Sequence, residues 1–189
     1  MRIMVIGSSG AGKTTLAQRL SARLGAPHVD LDALNWMPNW RSLHEDAPEV
    51  FARRVADATA GYAWISAGNY SQLWPLMMRR AEHIVWLDYP RAVVMRRVIL
   101  RSFVRAAGGR ELWPGTGNRE TFARWFRADH PIRLAWRPLE QRRARYAGLI
   151  ADLAAPGVKV HHLRRPREAD ALVRRLAASA QDDSAPSQI

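Results

Sequence analysis

The stretch from Arg2 to Thr14 reads RIMVI-GSSGAGKT and decides the fold. Its apolar first part, residues 2–6, predicts a buried strand. The second part, from Gly7 to Thr14, matches the pattern G-x-x-x-x-G-K-[ST] (Walker A), which is typical of phosphate-binding loops. Leucines on one stripe then predict an amphipathic helix that ends at Gly25. A strand, this loop and a helix in that order form the context that the motif requires.

This loop is expected to bind the phosphate groups of ATP together with Mg²⁺. Its glycines let backbone N–H groups point at the phosphates, and the start of the helix adds the positive end of its dipole. Lys13 places a positive charge at the β- and γ-phosphates, and the Thr14 hydroxyl is a ligand for Mg²⁺. ATP is favoured over GTP, since the chain has no Asn-Lys-x-Asp motif for guanine. The residues predicted to bind nucleotide are Gly7, Ser8, Ser9, Gly10, Ala11, Gly12, Lys13, Thr14 and Thr15.

Short apolar runs alternate with helical patterns along the rest of the chain. Such alternation predicts an α/β fold with a parallel sheet and helices on both faces. A glycine-rich stretch at 107–118 predicts a loop, and Asn118 is a candidate cap for a helix to about Ala128, which Pro131 should break. Asp46 is the expected cap of an earlier helix. The predicted strands are residues 2–6, 28–31, 62–66, 83–88 and 158–162, and the remaining helices cover about 47–61, 92–106, 139–154 and 166–180.

Two carboxylates, Asp30 and Asp32, alternate at the end of the second predicted strand. Side chains two apart on a strand share one side, and this end of the strand meets the phosphate-binding loop at the carboxyl edge of the sheet. One carboxylate would hold a Mg²⁺-bound water, and the other would accept a proton from a substrate hydroxyl. The alternative is that the pair caps a helix or forms a turn.

The charge of the chain is concentrated in its middle segment. The formal net charge is +12, and residues 91–150 hold fourteen Arg against four acidic residues, a net charge of +10. Such a segment predicts a polyanionic partner: nucleotide phosphates, a phosphorylated substrate or nucleic acid. Cysteine is absent, which excludes disulfides, thiolate metal sites and cysteine nucleophiles.

No apolar run approaches the ~20 residues that a membrane span needs. The apolar start is too short for a signal peptide, so a cytoplasmic protein without membrane contact is expected, as a monomer or homodimer. The polar tail at 181–189 is expected to be disordered.

The motifs together resemble the adenylate kinase/shikimate kinase-like group of P-loop kinases. The resemblance rests on the loop at 7–14, Asp-Leu-Asp at 30–32, Trp-Ile-Ser-Ala-Gly-Asn-Tyr at 64–70, Trp-Leu-Asp at 86–88 and the arginine-rich segment. Within the group, the chain is most similar to the branch known as DNA topology modulation proteins. The resemblance implies a P-loop NTPase three-layer sandwich whose five-stranded parallel sheet carries a lid insertion. One domain would cover residues 1–180, with a substrate-binding region at about 33–60 and a lid at about 102–118.

The resemblance also implies roles for residues near the sheet edge. Relatives commonly carry Asp directly before Gly-Asn-Tyr, where this chain has Ala67. Either Asp30 supplies the missing acid beside Mg²⁺, or catalysis is weakened, or the protein binds nucleotide without fast turnover. Asp32 would contact the substrate together with three residues of the following loop, Gly68, Asn69 and Tyr70.

Arginines of the middle segment supply the charges that phosphoryl transfer needs. Arg97 and Arg101 lie four apart on one helix face and match the spacing of lid-base arginines in adenylate kinases. Arg110 lies within the glycine-rich loop, where it is predicted to be catalytic, and Arg119 follows the loop and is predicted to bind substrate. Arg142, four residues before a tyrosine, resembles the arginine that holds an anionic substrate in shikimate kinase-like enzymes. Planar guanidinium groups can neutralise the charge on a transferring phosphoryl group. The alternative for each of these arginines, which the sequence favours about equally, is a solvent-exposed surface position without a ligand.

These observations favour an ATP-dependent small-molecule kinase whose acceptor is a nucleotide, a nucleoside or a hydroxylated metabolite. Its predicted catalytic residues are Lys13, Asp30, Asp32, Arg101 and Arg110. The alternative is an ATP-binding regulatory protein that associates with nucleic acid and has little kinase activity. Trp36, Trp40 and Trp74 lie in or near the expected substrate region, where they would form an aromatic wall or pack within loops.

Overall fold

A five-stranded parallel sheet forms the centre of the computed structural model, which describes residues 1–127, 130–136 and 139–182. The strand order is β2-β5-β1-β6-β7, so the phosphate-binding loop follows the central strand. The strands are β1 (Arg2–Gly7), β2 (His28–Asp30), β5 (Trp64–Ala67), β6 (His83–Leu87) and β7 (Lys159–Leu163). A separate two-stranded antiparallel hairpin is made of β3 (Trp36–Met37) and β4 (Arg41–Ser42).

Helices cover both faces of the sheet and bring the described elements to three layers. They are α1 (Lys13–Leu24), α2 (Leu31–Asn35), α3 (Leu43–Asp46), α4 (Pro48–Ala58), α5 (Trp74–Met78), α6 (Arg91–Gly108), α7 (Pro131–Trp136), α8 (Leu139–Leu153) and α9 (Pro166–Asp182). No helix of the described residues is long and apolar enough to cross a membrane. The predicted α/β fold with a five-stranded parallel sheet is therefore confirmed.

The central strand divides the core between the two faces. Ile3 and Val5 of β1 pack with α1, α6 and α9, whereas Met4 and Ile6 pack with α4, α5 and α8. This alternation is the period of two that a strand imposes, and burial on both faces explains why residues 2–6 are all apolar except the first. Trp64, in the neighbouring strand β5, is 1 % exposed.

The second strand differs from its prediction at a place that matters for the site. Strand β2 ends at Asp30, and helix α2 begins at the next residue, so Asp32 lies on a helix. The Asp30 carboxylate accepts the Asp32 backbone N–H at 3.0 Å and caps α2. The helix cap, which was the alternative interpretation of this pair, is thus present, and the prediction that both side chains share one side of a strand is wrong.

Two residues that were predicted to cap helices, Asp46 and Asn118, do not do so. Asp46 ends α3 and pairs with Arg41 at 3.2 Å, and Ala47 is the residue that precedes α4. Asn118 lies in the long loop after α6, and the next helical element is a 3₁₀ helix at Phe122–Phe126 rather than an α-helix. Pro131 starts α7, because proline is well suited to the first position of a helix.

Two helices extend beyond the ends that were predicted for them. Helix α6 extends to Gly108, so the loop expected at 107–118 begins two residues later. Helix α9 extends to Asp182, beyond the start of the expected disordered tail. The rest of that tail, 183–189, and Ala128 lie outside the described residues.

Candidate functional site

The phosphate-binding loop lies at the carboxyl end of β1 and leads directly into α1. It is one wall of a cavity of about 700 Å³ that Asp32 and Arg97 also line. At Gly10, where φ is +84°, a Cβ atom would lie 2.7 Å from the Val98 Cβ and 2.9 Å from the Val94 carbonyl oxygen. Only glycine therefore fits at this position, because helix α6 packs directly against the loop.

Lys13 bridges the two ends of the turn. Its Nζ donates to the carbonyl oxygens of Gly7 at 3.0 Å and of Ser8 at 3.1 Å. Burial is the largest cause of the lowered pKa of Lys13, which is about 8; Asp32 acts in the opposite direction, and the neighbouring Arg101 and Arg142 add to the lowering. The ammonium group is thus held among cations, and a bound phosphate would supply the negative charge that it lacks.

We expect nucleotide affinity to fall as the pH rises from 7 to 9. Only the protonated Lys13 attracts phosphate, and with a pKa of about 8 roughly nine-tenths of the free protein has lost that proton at pH 9. The affinity for an ATP analogue should therefore weaken by up to about tenfold across this range. Calorimetric titrations at several pH values would measure it. A Lys13→Arg variant, whose guanidinium stays charged, should show a flatter profile, and an equally steep profile in that variant would contradict the assignment.

Asn69 braces the first residue of the loop. Its Oδ1 accepts the Gly7 N–H at 3.2 Å, and its Nδ2 donates to the Gly7 carbonyl oxygen. This pairing fixes both backbone groups of Gly7. Asn69 was predicted to contact substrate, and the structure places it against the phosphate-binding loop. A contact between residues 62 positions apart leaves no signal in the local sequence.

Asp32 and Tyr70 form the side of the site opposite the loop. The Tyr70 hydroxyl donates to Asp32 Oδ1 at 2.7 Å, and its ring packs edge-on against Phe51 and His44. Burial and the carboxylate of Asp32 raise the pKa of Tyr70, so this hydroxyl keeps its proton. Asp32 lines the cavity with Lys13 and Thr14, and of the two acids it has the greater effect on the Lys13 pKa.

Asp30 does not line this cavity. Burial raises the pKa of Asp30, and the charge of Asp32 raises it further. Its Oδ1 is used in the cap of α2. The role beside Mg²⁺ that was predicted for Asp30 assumed that the strand continues through Asp32, and the helix removes that premise. The direct lining of the loop cavity falls to Asp32.

Gly68 lies where the chain passes under α2. A Cβ atom at this position would be 2.6 Å from the Leu31 Cβ and 2.9 Å from its Cδ1. The role predicted for Gly68 was substrate contact, and its described contact is with this buried leucine.

A Gly68→Ala substitution should destabilise the protein. The added methyl group forces Leu31, which is 1 % exposed, out of its packed position, and overpacking of this kind costs about 1–3 kcal/mol. Urea unfolding would measure the change in the free energy of unfolding. Gly148→Ala is the matched control, because it lies within α8 with no atom within 4 Å of its added Cβ, and alanine there should stabilise by about 0.5–1 kcal/mol. Equal effects of the two substitutions would contradict the packing argument.

Three arginines contact the phosphate-binding loop from outside. Arg97 donates to the Ala11 carbonyl oxygen at 3.0 Å, and Arg101 donates to Ser9 Oγ at 3.4 Å. Arg142, on α8, donates to Ser8 Oγ and to the Leu134 carbonyl oxygen. The three predicted arginines therefore meet at one loop, although they are spread over 46 positions of the sequence.

Arg101 has two further features that are typical of an anion-binding site. Burial lowers its pKa to about 10, and its Nε is a buried donor without a hydrogen-bond partner. The neighbouring Arg105, which sequence analysis missed, lines the same cavity and lies 4.0 Å from the buried Glu120. Glu120 also pairs with His130 at 3.1 Å. Arg105 continues the four-residue spacing of Arg97 and Arg101, and that spacing was the signal available in the sequence.

Two predicted site arginines lie elsewhere. Arg110 and Arg119 are exposed in the loop after α6 and do not line the cavity. The backbone bridge between Glu111 and Arg119 closes this loop on itself. The structure thus brings Lys13, Arg97, Arg101 and Arg142 together and leaves Arg110 and Arg119 outside.

The loop after α6 is joined to the β3–β4 hairpin. Asn118, which is 2 % exposed, accepts the Trp40 N–H at 2.9 Å and donates to the Met37 carbonyl oxygen at 2.9 Å. Trp113 stacks on Trp36 with ring centroids 5.8 Å apart and meets Trp40 edge-on. Two of the three tryptophans expected in an aromatic wall are therefore part of this junction. The third, Trp74, is buried in the core and packs against Tyr146.

An Asn118→Ala substitution should open this junction. It removes both hydrogen bonds to the hairpin, at about 0.5–1.5 kcal/mol for each bond. Hydrogen exchange at the Trp40 amide should then accelerate by roughly tenfold or more, since the local opening energy falls by that amount. Exchange measured by NMR or mass spectrometry would report it across residues 36–42 and 109–121. Thr121→Ala, at an exposed position of the same loop, is the control, and unchanged exchange in the Asn118 variant would contradict the junction.

The residues of the cavity fit a magnesium ion bound together with phosphate. Mg²⁺ prefers oxygen ligands and keeps several waters, so it needs only one or two protein groups. Thr14 and Asp32 supply a hydroxyl and a carboxylate on the walls of the same cavity. No cluster of three or more His, Cys, Asp or Glu side chains suited to a metal occurs among the described residues, which agrees with an ion held mainly by substrate.

Comparison with known proteins supports this fold. No family model matches the chain. The uncharacterized protein YqaC of Bacillus subtilis is 28% identical over 161 residues, which cover 84% of this chain and 86% of YqaC. A shikimate kinase of Symbiobacterium thermophilum is 31% identical over 105 residues, 47% of this chain and 58% of that enzyme. A cytidylate kinase of Nitratidesulfovibrio vulgaris is 37% identical over 63 residues, 33% of this chain and 27% of that enzyme.

A solved structure extends the likeness over nearly the whole chain. The shikimate kinase of Bacteroides thetaiotaomicron superposes with a TM-score of 0.51 at 16% identity and covers 96% of this chain and 98% of that one. The chain thus has the P-loop fold of the shikimate and nucleotide kinases. Its alignments with the two curated kinases span about half or less of this chain's length.

Proposed function

We propose that this protein is an ATP- and Mg²⁺-dependent kinase that transfers the γ-phosphoryl group to a small acceptor. The observation that carries the proposal is the convergence of four cations at the phosphate-binding loop, three of which line one cavity together with a carboxylate. The cations are Lys13, Arg97, Arg101 and Arg142, and the carboxylate is Asp32. Positive groups arranged before the reaction are what phosphoryl transfer requires. The shikimate and cytidylate kinase relatives support a kinase of this kind.

The residues divide into two groups by the end of the reaction that they serve. Lys13 and the loop amides would hold the β- and γ-phosphates, and the arginines would neutralise charge on the leaving ADP. Thr14 would hold Mg²⁺, which supplies positive charge to the same oxygens when it is bound. At the other end, Asp32 would accept the proton of the acceptor's hydroxyl group. The oxygen of that hydroxyl group would bond to the γ-phosphorus while the bond from phosphorus to ADP breaks.

The acceptor would enter between α2 and the hairpin. Tyr70 orients Asp32 by a 2.7 Å hydrogen bond and is itself held by the rings of His44 and the buried Phe51, so this side of the site offers the Asp32 carboxylate in a fixed position. We assign residues 33–60 to acceptor binding and residues 102–118 to a lid within one domain of residues 1–180. The acceptor is a nucleotide, a nucleoside or a hydroxylated metabolite. Movement of the lid would bring the exposed Arg110 and Arg119 towards it.

A screen of acceptors tests the proposal. Purified protein with ATP and Mg²⁺ would be given nucleoside monophosphates, nucleosides and ring-bearing hydroxy acids such as shikimate, and ADP release would be followed with a coupled assay. We expect at least one acceptor to raise ADP release well above the rate without acceptor. The Lys13→Ala variant serves as the inactive control. If no acceptor in the three classes raises the rate, the proposed transfer to a small acceptor is wrong.

The alternative, an ATP-binding regulator associated with nucleic acid, rests on the net charge of +10 in residues 91–150. Several of these arginines have contacts within the protein: Arg97, Arg101 and Arg142 contact the phosphate-binding loop, and Arg143 pairs with Asp88 at 2.8 Å. These contacts favour the kinase. Membership of the DNA topology modulation branch stays a prediction. A salt titration of DNA binding would test it, because a DNA-binding regulator loses affinity steeply with rising salt.

A further inference from the structure

A second basic cavity lies at the amino-terminal edge of the sheet, opposite the phosphate-binding loop. Its volume is about 780 Å³, and it is lined by the first residues of three strands and by one face of α9. Strand β1 contributes Arg2, β6 contributes His83, and β7 contributes Lys159. Since β1 has six residues at about 3.3 Å each, the two cavities are separated by roughly 20 Å of sheet.

The lining of this cavity carries a large excess of positive charge. Five cationic side chains and the amino terminus line it, and among the described lining residues Glu82 is the one acid. Glu82 is already shared by the amino terminus at 3.7 Å and by Arg2 at 3.1 Å. The Nε of Arg2 is in addition a buried donor without a hydrogen-bond partner. The five cations are Arg2, Arg79, Arg80, Lys159 and Arg175.

Two stacked histidines lie in this wall, and burial together with the surrounding cations lowers the pKa of both. His83 Nδ1 and His161 Nε2 are 2.9 Å apart, with parallel rings. Arg175 approaches His161 Nδ1 at 3.4 Å and has only donors to offer, so this nitrogen accepts and Nε2 carries the proton given to His83. Burial is the largest cause of the lowered pKa of His161, which is about 4, and His83, Arg175 and Lys159 act in the same direction. The positive charges of Arg175 and Lys159 thus both act on His161.

We propose that this cavity is a second anion-binding site, which takes a compact, multiply charged phosphate compound such as triphosphate, free or as part of a nucleotide. Lysine and arginine are the side chains that bind phosphate best, and the volume lies within the range of small-molecule pockets. The cations converge on a concave space from two strands, the segment after α5 and helix α9. That arrangement fits a small anion better than the flat, extended track of a nucleic acid.

The test uses inorganic triphosphate as the probe and the Lys13→Ala protein as the background, so that binding at the phosphate-binding loop is weakened. Calorimetry at pH 7 and low salt should still show binding. Adding Arg175→Gln should weaken that binding by about tenfold, since a charge-assisted contact is lost. Arg174→Gln, the neighbouring exposed position outside the cavity, should leave it unchanged. Absence of binding in the Lys13→Ala background, or equal affinities of the Arg175 and Arg174 variants, would overturn the proposal.

A second measurement guards against a variant that merely unfolds. In the protein without the Arg175 change, bound triphosphate should raise the pKa of His161, followed by NMR of the imidazole nitrogens, because the anion compensates the charges of Lys159 and Arg175. Lys159→Gln should weaken triphosphate binding in the same way as Arg175→Gln. A single-stranded DNA oligonucleotide forms the last arm. If it binds this face and triphosphate does not displace it, the site belongs to nucleic acid and the proposal is wrong.

Discussion

The Lys13→Ala variant should lose nucleotide-dependent activity almost completely, with kcat/KM at least about 100-fold below that of the parent. The ammonium group lies at the mouth of the loop, where its Nζ reaches two loop carbonyl oxygens, 3.0 Å from that of Gly7 and 3.1 Å from that of Ser8. When phosphates arrive, this group would exchange those carbonyls for anionic oxygens, and alanine has nothing to exchange. Steady-state kinetics, together with binding of an ATP analogue, would measure the loss.

A control on the same helix separates charge from position. Arg23→Ala removes one positive charge from the exposed last turn of α1 and lies well away from the loop. Its activity should stay within about twofold of the parent, since surface charges have small effects. If Lys13→Ala binds nucleotide and turns over as well as Arg23→Ala does, the assignment of the phosphate-binding loop is wrong.

Asp32→Asn should reduce kcat by about 10²–10⁴-fold and leave the binding of an ATP analogue within a few-fold of the parent. The carboxylate faces the same cavity as Lys13 and is oriented by Tyr70. Asparagine keeps the shape and a hydrogen-bond acceptor for Tyr70, but it cannot take a proton from an acceptor hydroxyl. Single-turnover kinetics at saturating ATP and Mg²⁺ would isolate this step from binding.

Asp30→Asn is the matched control for Asp32→Asn. Asparagine is as good a helix cap as aspartate, so the bond to the Asp32 N–H is preserved and the change in activity should be small. A large loss of Mg²⁺-dependent turnover in Asp30→Asn, with little effect of Asp32→Asn, would return the acidic role to Asp30. Ala67→Asp would then be expected to rescue that loss in part, because the resemblance to P-loop kinases implies an acid at position 67.

The elements that are defined locally were predictable. Residues 2–6 are apolar because both faces of β1 are buried, and the glycine pattern from Gly7 to Thr14 encodes a backbone shape as well as a chemistry. The four-residue spacing of Arg97 and Arg101 predicted that both lie on one helix face. That this face meets the phosphate-binding loop was implied by the resemblance to adenylate kinases, not by the spacing.

The predictions that failed depended on where one element gives way to another. Leu31 continues the apolar run of β2, so the sequence resembles a strand, but the Asp30 side chain caps a helix at that point and turns Asp32 towards the loop. Asn118 resembles a helix cap, yet its amide joins the chain 78 and 81 positions away. Pairing over such distances is set by tertiary packing, which a local pattern does not contain.

Phosphorus NMR of ATP, Mg²⁺ and an active acceptor tests the central claim most directly. The account predicts that the γ-phosphorus signal of ATP disappears as a new phosphate ester signal grows, with one ADP formed for each ester, and that Lys13→Ala and Asp32→Asn form almost none. It would be contradicted if ATP stayed intact with every class of acceptor, or if inorganic phosphate were the only new signal at the same rate with and without an acceptor.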